Sequence, residues 1–183
     1  LPELVSFYES VEASNLTKYG LFWSYDDRDA MELSISGSGL RPTLNSYMYG
    51  NAAAIAAIAE WAGKEDIREL YNRKANYLRD NILKVLWDEK QKFFKVIPQN
   101  KRNDEITEFC FERFAEGRNV MEEIGYIPWS FSIPDERHDA AWSYLKREDC
   151  FRAPWGITTA QRSSPLYRNT RSPHECQWNG PVW

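Results

Sequence analysis

Two acids, Asp29 and Glu32, stand in the Ser/Gly-rich stretch DRDAMELSISGSG at positions 27–39, just ahead of an alanine-rich segment. Aromatic residues flank them, with Phe22, Trp23 and Tyr25 before and Tyr47 and Tyr49 after. A carboxyl group held on a loop can donate a proton to a glycosidic oxygen or accept hydrogen bonds from sugar hydroxyls. Aromatic planes stack on the C–H faces of sugars, so the combination points to a carbohydrate site. Glu32 is the first choice for the proton donor, because the apolar bulk of Met31 and Leu33 would desolvate it and favour its protonated form. Its competing role is a loop cap or an ion pair with Arg41. Asp29 is the second candidate for the acid, with an acceptor for sugar hydroxyls or a partner of Arg28 as its alternatives.

Further residues extend this site. Arg41 can orient a carboxylate or bind an acidic group on a substrate. Asn45 or Ser46 is expected to cap the helix that follows, and Asn45 is also a candidate substrate contact. Trp23, Tyr25 and Tyr47 would shape the subsite. A second cluster, Trp178-Asn179-Gly180-Pro181-Val182-Trp183, offers an indole face and an amide that both donates and accepts. Trp129 after Pro128 and Trp155 before Gly156 are additional stacking candidates.

Other chemistries find less support. Gly37-Ser38-Gly39 is short and lacks the lysine of a phosphate-binding loop. Ser34, Ser36 and Ser38 have no histidine near them in sequence, since His138 and His174 lie far downstream, which weakens a serine-hydrolase reading. Cys110, Cys150 and Cys176 lack metal-ligand spacing, so no zinc site and no cofactor are expected. An odd cysteine count leaves at least one free thiol unless a partner chain contributes. Asn15-Leu16-Thr17 has the form of a glycosylation acceptor, a triplet that arises often by chance.

The elements that must position these residues read as helical. Met48, Ala52, Ile55, Ile58, Ala59 and Ala62 share one face of a helix over 45–62, with Gly63 as its stop. A second helix over 65–87 carries the stripe Ile67, Leu70, Tyr71, Ala75, Leu78, Ile82, Val85 and Leu86, and the two form an antiparallel hairpin with a very short connection. The first is apolar nearly all round and expected inside; the second is amphipathic and expected outside. Phe93 to Ile97 reads as a short strand ending at Pro98, 104–116 and 119–125 as helices, and Pro134-Asp135-Glu136 as the start of a helix reaching Lys146. From Cys150 onward there is no periodicity. Long irregular segments of this kind are usually functional or disordered, and the tryptophan content argues against disorder. The expected class is all-α, with long aromatic loops at one end of helical hairpins that could build a solenoid or a closed α/α toroid; the small-residue inner helix and the lack of a strict repeat favour the toroid.

Bulk properties agree with a single folded domain. The chain has 183 residues, 43% hydrophobic and 27% charged, with 15% aromatic including 8 Trp and 10 Tyr. That aromatic excess is either a large aromatic core or a stacking-rich ligand site. A net charge of −4 without a basic patch argues against nucleic acid as a partner, and no apolar run is long enough for a membrane span. The chain opens at Leu1 without an initiator methionine and stops at QWNGPVW in mid-motif. It is therefore expected to be an incomplete piece of a larger catalytic domain, with the remainder of the parent chain as its partner.

The stretch DAMELSISGSGLRPTLNSYMYGNAAAIA resembles the mannosylglycerate-hydrolase-like, glucosidase-I-related (α/α)6-barrel glycoside hydrolases. So do LWDEKQKFF, GYIPWSF, FRAPWGITTAQR and QWNGPVW, in the family's order and across nearly the whole chain. The resemblance implies part of an (α/α)6 toroid of the six-hairpin glycosidase type, and inverting hydrolysis of an α-linked glucoside or mannoside. It implies a general acid at the position of Glu32, where the family usually has Asp, and a general base downstream of the Trp-x-Gly-Pro motif at which this chain stops. The expected partner is an oligosaccharide or glycoside substrate. A non-catalytic glycan-binding toroid is the alternative; a His- or Tyr-dependent sugar epimerase and a helical-repeat interaction protein fit less well, for want of histidine and of a repeat.

Overall fold

The computed structural model describes residues 1–26, 28–29, 34–104, 119–154 and 156–167. Helix α1, Pro2–Asn15, opens with proline at its first turn, where the missing N–H costs no hydrogen bond. It was not foreseen from the sequence. Tyr8 is its one fully buried side chain, set edge-on to Phe22 and Tyr71 at ring-centroid distances of 6.3 and 5.2 Å. Leu4 and Phe7 face outward, so no clean apolar stripe marks the helix. Asn15 and Thr17 are turned to structural use: Asn15 donates to the Trp23 carbonyl at 2.9 Å and Thr17 to the Leu21 carbonyl at 2.7 Å.

Helix α2 runs Pro42–Trp61 and helix α3 Glu65–Asn81. Arg41, extended at φ −105°, is the capping position of α2, and Pro42 takes the first turn. Asn45 and Ser46 therefore lie inside the helix and not at its cap, because proline pre-sets the helical φ three residues earlier than the polar pair suggests. The α2–α3 connection is the expected tight one. Gly63, at φ +65°, lets the Gly63 N–H reach the Glu60 carbonyl and the Lys64 N–H the Ala59 carbonyl, at 3.0 and 2.8 Å. Ala52, Ile55 and Ala56 share the core with Tyr71, Ala75 and Leu78. Asn51, Ala54, Ala57 and Trp61 remain exposed, so α2 is buried along one face and not all round.

The second helix changes character before its expected end. Ile82–Leu86 form a π-helical turn, with Ile82, Val85 and Leu86 all in the core. A hairpin follows, with β3 (Trp87–Asp88) antiparallel to β4 (Phe93–Phe94). Its turn is held by Asp88, which accepts from Lys90 and Gln91 N–H and pairs with buried Lys95 at 2.6 Å. The expected strand over 93–97 is thus split: Ile97–Pro98 are a separate strand, β5.

β5 joins β1 (Trp23–Ser24) and β2 (Gly39–Leu40) in a three-stranded sheet of order β1-β2-β5. Pro98 sits on an edge strand, where its missing N–H is tolerated. This small sheet ties the two ends of the acid-bearing loop together, Trp23 opposite Leu40 and Ser24 opposite Gly39.

The remainder packs aromatic rings. A 3-10 turn, Glu123–Tyr126, leads into the short helix α4, Ile127–Ser130, and residues Glu136–Lys146 form a 3-10 helix where an α-helix was expected. Asp135 and His138 cap that helix reciprocally, and the imidazole lies between Phe94 and Trp87. The last ladder pairs β6 (Arg152–Ala153) with β7 (Gly156–Ile157). Most of the helix expected over 104–116 falls outside the described residues, as do Cys110 and Cys176. Cys150 is free and buried, and burial pushes its thiol up to about 11. Among the described residues no helix is long and apolar enough to cross a membrane.

Two glycines give contrasting expectations. At Gly39, φ +155°, a Cβ would come within 2.1 Å of the Ile97 carbonyl oxygen, whereas at Gly63 it would meet nothing within 4 Å. Gly39→Ala is expected to cost about 2–3 kcal/mol through steric displacement of β5. Gly63→Ala is expected to cost about 1 kcal/mol, from conformation alone. Denaturant unfolding of the two variants checks the order, and equal losses would mean that β5 moves aside freely.

Candidate functional site

The loop between β1 and β2 is built around Arg41, whose side chain is fully buried. Its Nε and Nη2 donate to the two carboxylate oxygens of Asp29 at 2.5 and 3.0 Å. Its Nη1 donates to Ser34 Oγ at 2.8 Å and to the Gly37 carbonyl at 2.6 Å. Thr43, one residue into α2, also donates its hydroxyl to Asp29. Both members of the pair are out of water, with side chains 0% and 3% exposed. A two-pronged guanidinium–carboxylate contact of this kind is directional as well as strong. It joins the early part of the loop to its later part and both to the start of α2.

This geometry redirects three expectations. Arg41 does orient a carboxylate, but that carboxylate is Asp29 and not a substrate group. Arg28, considered as the Asp29 partner, lies instead over the Tyr25 ring at 5.1 Å. Asn45 stands one helical turn beyond Arg41, fully buried; its amide hydrogens go to the carbonyls of Phe22 and Arg41 at 2.9 and 2.8 Å, and its oxygen accepts from Phe22 N–H at 2.7 Å. Burial leaves Arg41 and Asn45 without surface to offer a ligand.

The aromatic candidates divide by exposure. Trp23 is buried, with its indole N–H on the Gln99 carbonyl at 3.0 Å. Tyr25 packs edge-on against it at 4.5 Å and is half exposed. Tyr47 is 44% exposed and borders an apolar groove of about 350 Å³ with Phe7, Val11, Leu44, Met48 and Phe131. Trp129 is half-buried among Phe94, Tyr126 and Trp142, where it serves the aromatic core. Glu32, Trp155, Trp178 and Asn179 lie outside the described residues.

One buried carboxylate beside this loop escaped the sequence reading. Glu122 is buried, and its carboxylate accepts from Ile35 N–H at 2.8 Å and from the Ser36 hydroxyl. Burial pushes it above the ordinary carboxylate value, against the opposing pull of Arg41 and its hydrogen bonds. Adjacent Glu123 is also raised, by burial and then by the Glu122 charge. An acid set among Val120, Met121 and Ile124 was the available signal. Among the described residues no group of three or more His, Cys, Asp or Glu side chains could hold a metal ion.

Breaking the central pair from either side strands a buried charge. Arg41→Ala and Asp29→Ala are each expected to lower stability by about 3–5 kcal/mol in equilibrium unfolding; a loss near the ~1 kcal/mol of a surface pair would mean the loop is solvated. Glu122 predicts a pH effect of definite sign. Its folded-state pKa lies above its ordinary value of 4.5, so the folded protein holds the proton more tightly. The resulting stabilisation is complete below the unfolded value and is lost as pH rises through the folded one. Glu122→Gln has no proton to lose, so its melting temperature is expected to rise relative to wild type from pH 4 or so toward neutrality. A variant-minus-wild-type difference that stays constant or falls as pH rises would contradict this.

The family model of the Mannosylglycerate hydrolase MGH1-like glycoside hydrolase domain matches residues 1–183. A solved structure titled "Sialidase" is 36% identical, superposes with a TM-score of 0.82, and is covered over 100% of this chain and 16% of its own. The chain thus spans about one sixth of that solved chain. No curated protein matches.

Proposed function

From membership of the MGH1-like glycoside hydrolase family, to which this chain belongs, we infer that it contributes the proton-donor side of a glycosidase active site, with Glu32 as the general acid. The observation that carries this reading is the buried Arg41–Asp29 pair. It holds the loop on either side of Glu32 in one arrangement, through Asp29 before it and Ser34 and Gly37 after it. A proton donor must be held to within a fraction of an ångström of the leaving oxygen, and preorganisation of its loop is how a fold achieves that.

In this reading Asp29, Arg41, Asn45 and Trp23 act behind the site, while Tyr25 and Tyr47 supply exposed ring faces. Trp155, Trp178 and Asn179 complete the sugar subsite. The substrate is an α-linked glucoside or mannoside, cleaved with inversion. Inversion needs a second carboxyl about 6.5–9.5 Å across the scissile bond to activate water, and this base comes from outside residues 1–183. The α2–α3 hairpin is one of the six that close the toroid. No cofactor enters the chemistry.

Glu32→Gln in the full-length protein is expected to reduce turnover of α-glycosides by about 100-fold or more, the usual weight of a general acid. Isothermal titration with the same glycoside should show binding within a few-fold of wild type. Retained turnover would remove Glu32 from the mechanism, and joint loss of binding and turnover would make it a binding residue.

A further inference from the structure

The segment 34–38 is held by two buried charged groups. Arg41 donates to Ser34 and Gly37. Glu122 accepts from the two residues between them, Ile35 and Ser36, across 87 and 86 positions of sequence. Glu122 is itself a fixed post. Gln161 N–H donates to the Met121 carbonyl and Glu123 N–H to the Thr159 carbonyl, both at 2.8 Å, and Glu122 bridges Ala160. Burying a carboxylate is costly unless its hydrogen bonds are made. A fold that needed only packing here would be served by an apolar residue, as at neighbouring Val120, Met121 and Ile124. What a carboxylate does that those cannot is accept two hydrogen bonds at once, one from a backbone N–H and one from a hydroxyl.

We propose that Glu122 is a positioning residue for the acid-bearing loop: through Ile35 N–H and Ser36 Oγ it sets the backbone that follows Glu32, and with it the approach of the acid to the leaving oxygen. This rests on the reading of Glu32 as proton donor. Arg41 and Glu122 hold different residues of the same segment, so the loss of either leaves part of the loop without its anchor. Glutamine at 122 keeps the overall shape and an acceptor for Ile35 N–H. Its second terminal group is a donor, and it cannot receive the Ser36 hydroxyl hydrogen.

A leaving-group comparison in the full-length protein tests the proposal. A 2,4-dinitrophenyl α-glycoside departs without protonation, whereas the matching methyl α-glycoside needs the acid. Glu122→Gln is expected to lower kcat on the methyl glycoside by about 10-fold or more and on the dinitrophenyl glycoside by less than about 3-fold, with KM little changed on both. Ser36→Ala, a milder change, should show the same asymmetry to a smaller degree. Equal losses on the two substrates, or none, would overturn the proposal, since a purely structural defect lowers both alike. Hydrogen exchange of the 34–38 amides supplies a readout independent of activity. It should accelerate in both variants while the α2–α3 hairpin stays protected. Unchanged exchange at 34–38 overturns the proposal. If the wild-type protein cleaves neither glycoside, the glycosidase reading fails by itself, and the exchange result alone decides whether Glu122 holds the loop.

Discussion

A guanidinium group carried wholly into the interior has few stable arrangements. Arg41 must find acceptors for its N–H groups inside the protein or forfeit several kcal/mol of solvation. It finds them on Asp29, Ser34 and Gly37. Because Arg41 is also the residue from which α2 departs, the loop is pinned to the start of a helix whose other end is locked against α3 by the Gly63 turn. Charge burial, helix capping and loop shape are one constraint here, and the candidate site depends on it.

The rest of the structure reinforces that constraint from the outside. The short sheet of β1, β2 and β5 closes the loop at its base, and Gly39 is required there because the Ile97 carbonyl passes where a side chain would stand. Asn45 ties α2 back to Phe22 in the segment leading into β1. The aromatic residues divide their labour. Phe93, Phe94, Tyr126, Trp129 and Phe151 make a core of edge-on and tilted rings. Tyr25 and Tyr47 keep ring surface in solvent. A large aromatic core thus accounts for much of the high aromatic content.

The hairpin of α2 and α3 was legible in the sequence because local rules decide it: a helical stripe, a glycine that alone adopts the left-handed turn cheaply, and acids at the next N-terminus. Helix α1 was not, since a helix that buries one tyrosine leaves little periodicity. The π turn at 82–86 and the 3-10 helix at 136–146 were hidden for a related reason, because packing selects among helical pitches that share similar patterns. The true cap of α2 was visible in Arg41-Pro42, but the polar pair Asn45-Ser46 obscured it.

The family and the helical hairpin were thus determined by sequence alone, through residue types and order that need no third dimension. Only the tertiary structure decided which charges meet. From sequence, Arg41 was a partner considered for Glu32 and Arg28 for Asp29, and Glu122 had no reason to concern a loop 86 positions away. Burial settles such choices: once water is excluded, each buried charge takes the acceptors or donors that the folded chain brings within about 3 Å, however distant they are in sequence.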